Sequence, residues 1–109
     1  MSTNLPLSVT LTEVPEGGMR VCKLGAREIV ICRTKDGVHA VDNMCTHADA
    51  RLSEGRLRGN RLICPLHGAA FDIRDGRVLG APATVPLTAY AVRVVDGNIE
   101  VGTPDSSVT

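Results

Sequence analysis

Tryptophan is absent from this 109-residue chain, and phenylalanine and tyrosine occur once each. The core must therefore rest on Val, Leu, Ile and Ala, and a binding site built from stacked rings is excluded. Net charge is missing too, because twelve Lys plus Arg balance twelve Asp plus Glu. Without a basic excess there is no electrostatic ground for non-specific binding to nucleic acid or anionic lipid. No run approaches the ~18 apolar residues of a membrane helix. The start, Met1-Ser2-Thr3-Asn4-Leu5-Pro6, has neither the basic segment nor the apolar stretch of a signal peptide. The expectation is a cytoplasmic protein with neither nucleic acid nor membrane as a partner. One domain across residues 1–109 fits this length.

Turn signals punctuate the chain at Glu16-Gly17-Gly18, Asp36-Gly37, Gly59-Asn60, Asp75-Gly76 and Asp96-Gly97-Asn98. Short runs rich in Val, Ile, Leu and Thr lie between them, the pattern of an all-β sandwich or barrel. Arg27 to Arg33 and Val38 to Val41 read as a hairpin, as do Thr88 to Val95 and Asn98 to Val101. Ser8 to Thr12 and Met19 to Leu24 supply two more strands, and Arg56 to Arg58 and Arg61 to Ile63 two short ones. No window sustains helical spacing over three turns. Residues 43–72 read as a small inserted subdomain mounted on the main sheet. Residues 102–109 read as a frayed tail.

What is present in place of aromatics is a set of metal-ligand residues. Cys45-Thr46-His47 and Cys64-Pro65-Leu66-His67 hold half of the cysteines and two of the three histidines, with sixteen residues between His47 and Cys64. Thiolate and neutral imidazole suit soft and borderline metals. Zinc sites more often pair like with like along the chain. Here each short pair offers one Cys and one His, which suits two irons, one held by both cysteines and the other by both histidines. Cys22 and Cys32 read as small buried thiols in strands, since a reducing compartment disfavours a disulfide. His39 reads as an ordinary strand residue. Asp36, Asp75 and Asp96, each before Gly, read as turn residues. Arg51, Arg56, Arg58 and Arg61 read as a solvated mixed-charge face with Asp42, Asp49 and Glu54.

With these residues in view, the chain resembles a Rieske-type [2Fe-2S] ferredoxin, the electron-transfer component of bacterial aromatic-ring-hydroxylating dioxygenase systems. Cys45, His47, Cys64 and His67 meet the family pattern C-x-H then C-x-x-H. Leu52-Ser53-Glu54-Gly55, Pro65 and Gly68 match its surroundings, and Gly80-Ala81-Pro82-Ala83 is similar to the proline loop that covers the cluster. The resemblance implies a Rieske-type antiparallel β-sandwich with a cluster-binding subdomain between strands. It implies one [2Fe-2S] cluster bound by those four residues, a role in aromatic hydrocarbon catabolism, and no catalytic site. Its partners would be an NAD(P)H-dependent flavin reductase and a terminal Rieske oxygenase, met by a monomer through transient docking.

Two thiolates instead of four leave the oxidised cluster without net charge, so reduction is easier than in the plant type. High-potential Rieske proteins add a disulfide and Ser and Tyr hydroxyl donors. This chain has Ala50 and Leu66 at the positions matching those cysteines and Ala69 and Phe71 at those matching the hydroxyls. A midpoint of roughly −100 to −200 mV follows, at the low end of the Rieske range. Ala48, Ala50 and Leu66 would form a dry docking rim. Catalytic oxygenases need a second iron held by two histidines and a carboxylate, and only His39 remains for it. A structural zinc module and the small subunit of an assimilatory nitrite reductase stay open as alternatives.

Overall fold

A computed structural model describes residues 7–47 and 49–104. Six strands form an antiparallel sheet: β1 (Leu7–Thr10), β2 (Met19–Leu24), β3 (Arg27–Thr34), β4 (Gly37–Asp42), β9 (Ala89–Val95) and β10 (Asn98–Pro104), in the order β1-β10-β9-β4-β3-β2. Four shorter ones, β5 (Arg56–Arg58), β6 (Arg61–Ile63), β7 (Ala70–Asp72) and β8 (Val78–Gly80), make a second antiparallel sheet in chain order. The only helical elements among the described residues are 3-10 turns at Leu11–Glu13 and Leu52–Glu54. None is long and apolar enough to cross a membrane.

Strand β3 shows why the sheets pack as they do. Ile29, Val30, Ile31 and Cys32 are all fully buried, an uninterrupted apolar run that needs cover on both faces. The period-two alternation sends Val30 and Cys32 into a core shared with Leu52, Leu62, Phe71 and Ile73 of the smaller layer. Ile29 and Ile31 enter a second core with Val14, Tyr90, Ile99 and Val101. Both edge strands contribute to that second core, Leu7 and Val9 from β1 and Cys22 and Leu24 from β2, so the large sheet curls around it. Each fully buried Ile or Val contributes about 1.5–3 kcal/mol of transfer free energy.

The hairpins form where the turn signals lie. Asp96 and Gly97 both have positive φ, 51° and 79°, and join β9 to β10 in a two-residue turn whose twist matches the strands. Strands β5 to β8 fall in the chain between the paired strands β4 and β9, and because β8 pairs with β7 the small sheet runs one strand beyond the expected end at residue 72. A three-residue strand that ends on Gly80 carries too little periodicity to be legible. The expected tail also needs correction, since β10 continues through Pro104, which pairs with Tyr90 after a register shift beyond Val101. Residues 105–109 of that tail lie outside the described residues. Cys22 is half-buried on the edge strand rather than enclosed, and none of the four cysteines is in a disulfide.

Candidate metal centre

Two loops of equal length carry the Cys-His pairs. In the first, the Cys45 N–H donates to the Ala50 carbonyl at 2.9 Å, and in the second the Cys64 N–H donates to the Ala69 carbonyl at 2.7 Å. A Met44–Arg51 bridge extends the base of the first loop, and β6 and β7 pair below the second. His47 sends its backbone N–H to the Cys45 sulfur at 3.4 Å. The second loop makes its turn at His67 and Gly68, with φ of 64° and 75°. A histidine in the left-handed region is uncommon, and such conformations gather at functional sites.

This loop geometry sorts the donors. Cys45 and Cys64 are 5% and 2% exposed and belong to the inter-sheet core, whereas His47 and His67 are exposed. The imidazoles meet edge to face, 5.4 Å between centroids and 77° between planes. The two thiols are close enough to influence each other's ionisation. Burial pushes the Cys64 thiol up, the Leu66 backbone N–H works against that shift, and the adjacent Cys45 adds to it. Two neighbouring thiolates in this setting call for a cation between them. Among the described residues, no three Cys, His, Asp or Glu side chains converge as they would around one metal ion. Thiol beside thiol and ring beside ring suit a pair of metal atoms, one for each like pair of donors.

Asn43, which the sequence reading passed over, fixes the first loop from below. It is fully buried, and its Oδ1 accepts the Ser53 N–H at 2.8 Å while its Nδ2 donates to Glu28 Oε2 at 2.9 Å. Its backbone N–H and carbonyl bond Glu28 and Leu52 as well. An Asn two residues before a ligand-type Cys gave no local signal, since its partners lie on β3 and the Leu52–Glu54 turn. On the other side, Thr46 Oγ1 donates to the Val85 carbonyl, and Ala83 of the proline loop packs in the same core as both cysteines.

The expected docking rim changes. Ala50 is buried, Ala48 lies outside the described residues, and Leu66 is 45% exposed. Met44 and Val85, at 43% and 54%, are exposed apolar residues flanking the first loop that the sequence reading did not single out. His39 is half-buried in β4, facing Cys32 across the register. Burial pushes its pKa down, opposed by Asp72. Asp42 pairs with Arg27 and Glu28 with Arg51, which removes Arg51 from the expected mixed-charge face.

The fold and the paired donors define a class: a small β protein whose two Cys-His loops suit a two-metal centre. A sequence profile of the Rieske [2Fe-2S] domain matches residues 7–91. The ferredoxin component of a naphthalene 1,2-dioxygenase system from Pseudomonas aeruginosa is 38% identical over 87 residues, 80% of this chain and 84% of that protein. The ferredoxin of carbazole 1,9a-dioxygenase from Nocardioides aromaticivorans superposes with a TM-score of 0.84 at 30% identity, over 93% of this chain and 96% of that one. A ferredoxin solved in complex with the oxygenase of a carbazole 1,9a-dioxygenase gives 0.82 at 35% identity, over 88% of this chain and 91% of that one. The chain belongs to the Rieske [2Fe-2S] domain family. It is an electron carrier with one Rieske-type cluster, not itself an enzyme.

Proposed function

We propose that Cys45 and Cys64 hold one iron of the cluster and His47 and His67 the other, within a single domain. The observation that carries this assignment is the sorting of donors into a buried thiol pair and an exposed imidazole pair. When bound, the cluster takes up and returns one electron at a time. The chain's residues set the conditions for that exchange. The inter-sheet core around Cys45, Cys64, Phe71 and Ala83 keeps water from the thiol side, while the exposed imidazoles give partners a short path to the centre. Ala69 and Phe71 offer no hydroxyl near the second loop, which supports a low midpoint.

In this reading the protein works in the cytoplasm as a monomer. It accepts electrons from an NAD(P)H-dependent flavin reductase and delivers them to a terminal oxygenase that hydroxylates aromatic rings. Met44, Leu66 and Val85 form the apolar rim of a small, transient contact. Iron and acid-labile sulfide in equal amounts, with a visible spectrum that bleaches on one-electron reduction, are the expected results. Zinc without sulfide would refute the assignment. Mixing with a reductase and a ring-hydroxylating oxygenase should support turnover that neither supports without this protein, and its failure would refute the place in the chain.

A further inference from the structure

Between Glu54 and Asp72 the sequence has three arginines, Arg56, Arg58 and Arg61, and no acidic residue. The β5–β6 register sets Arg58 directly opposite Arg61, with Arg56 two residues along on the same face. Leu57 and Leu62 alternate onto the other face and pack inward, leaving all three guanidinium groups exposed. Six other basic residues form ion pairs, yet among the described residues none of these three does. Asp72 stands across from Arg61, but its carboxylate is taken by Arg74 and Arg77. The expected mixed-charge face is therefore basic along this strip, with Glu54 beside Arg56 at one end.

Like charges facing each other across a strand pair destabilise it. Folding gives no reason for Arg58 opposite Arg61, whereas an arriving anion does. The strip also has a meaningful address. Arg56 lines one hollow with Glu54, Ile63, Cys64, Pro65 and Gly68, so the strip borders the second Cys-His loop, and among the described residues Glu54 makes no ion pair. At its other end, Arg61 Nη1 lies 3.9 Å from where a Cβ on Gly80 would stand, beside the start of the proline loop.

We infer that Arg56, Arg58 and Arg61 steer a carboxylate-rich face of the redox partner onto the Cys64–His67 loop. This rests on the electron-carrier reading above. Guanidinium groups pair with carboxylates through two parallel hydrogen bonds, and such pairs fix orientation. Because the chain carries no net charge, attraction must come from a local patch, and a charged margin beside exposed Leu66 matches the layout of a protein interface. A groove that tracks a nucleic-acid backbone would interleave aromatic side chains, and the strip has none.

The test uses the cluster-loaded protein, with an octaglutamate peptide as the acidic probe and amide NMR shifts as the readout. Binding should perturb the β5–β6 amides, weaken as salt rises, and fall about tenfold in the double variant Arg58→Gln/Arg61→Gln. Arg93→Gln, on the large sheet, should bind as the parent does. The thermal midpoint of Arg58→Gln should hold or rise, since a repulsion is removed. In stopped flow, one electron passes from the reduced protein to ferricyanide, giving ferrocyanide. The double variant should be slower with this anion and faster with hexaammineruthenium(III). Equal peptide binding by parent and variant, a fall in stability of Arg58→Gln, or tighter binding of a DNA duplex through the same arginines would each overturn the inference. A protein without iron and sulfide would instead refute the electron-carrier reading, and the peptide titration does not depend on it.

Discussion

Thr46 Oγ1 donates a 2.6 Å hydrogen bond to the carbonyl oxygen of Val85, a residue 39 positions further along the chain. The bond ties the first Cys-His loop to the segment that follows the proline loop. Thr46→Val keeps the side chain's shape and removes the donor. Unfolding in urea should show a loss of about 1 kcal/mol. The visible chromophore should also decay faster in air, while Thr46→Ser should restore both. An unchanged decay would mean that the segment holds its place without this bond.

Asn43 lies beneath the same loop, fully buried, with every polar group engaged. Asn43→Ala would leave the part-buried Ser53 N–H without its acceptor and strip Glu28 of a donor. A loss on the order of 2–3 kcal/mol is expected in chemical denaturation. Iron content after purification should fall with it, because Asn43 connects β3 to the turn that closes the loop.

Gly55 and Gly59 make a controlled pair. A Cβ at Gly55 would stand 1.9 Å from the carbonyl oxygen of Ile63, which is backbone and cannot move aside, whereas one at Gly59 would meet nothing. Gly59 has a φ of +58°, so alanine there carries conformational strain of about 1 kcal/mol. Gly55→Ala should cost several times more, since β6 and the second loop must shift. Equal thermal midpoints for the two variants would contradict the close approach.

How far the sequence reveals this molecule can be judged from the same residues. The β2–β3–β4 meander and the β9–β10 hairpin are legible because periodicity and turn residues are local. The ligand-type residues are legible through spacing, since Cys45, His47, Cys64 and His67 fall in two short motifs. What determines their placement is not local. Asn43 acts through partners on β3 and the Leu52–Glu54 turn, Gly55 through Ile63, and Thr46 through Val85. The arginines misled for the same reason: nearness in sequence to Asp42 and Glu54 suggested neutralisation, but register and pairing leave three of them facing solvent together.

Asp72 gives a pH signature. The Arg74 hydrogen bonds draw its pKa down, burial opposes them, and the charge of Arg77 adds to the lowering, which leaves it at about 2. The unfolded carboxyl titrates near ~3.9. Its stabilising contribution is therefore complete above about pH 5, shrinks as pH falls through the interval, and is gone below about pH 2. Both arginines are half exposed, so screening holds the contribution to about 1–2 kcal/mol. Asp72→Asn should be less stable than the parent by that amount at pH 7. The gap should close toward pH 2, and a gap independent of pH would rule out the carboxylate as its source.

The midpoint potential follows from what surrounds the second loop. Hydroxyl donors to the cluster or to a ligand sulfur stabilise the electron-rich reduced state, and their absence leaves that state less favoured. Here Ala69 and Phe71 are fully buried and apolar, and Leu66 leaves no partner for a disulfide between the loops. A redox titration at neutral pH should therefore give a midpoint of roughly −100 to −200 mV, near the low end of the Rieske range. Phe71→Tyr, which adds one hydroxyl to the ring, should raise the midpoint if the oxygen finds a sulfur acceptor. Phe71→Leu, which adds none, should leave it near the parent value. A clearly positive midpoint in the parent would show that other donors replace the missing hydroxyls, and the low-potential reading would fall.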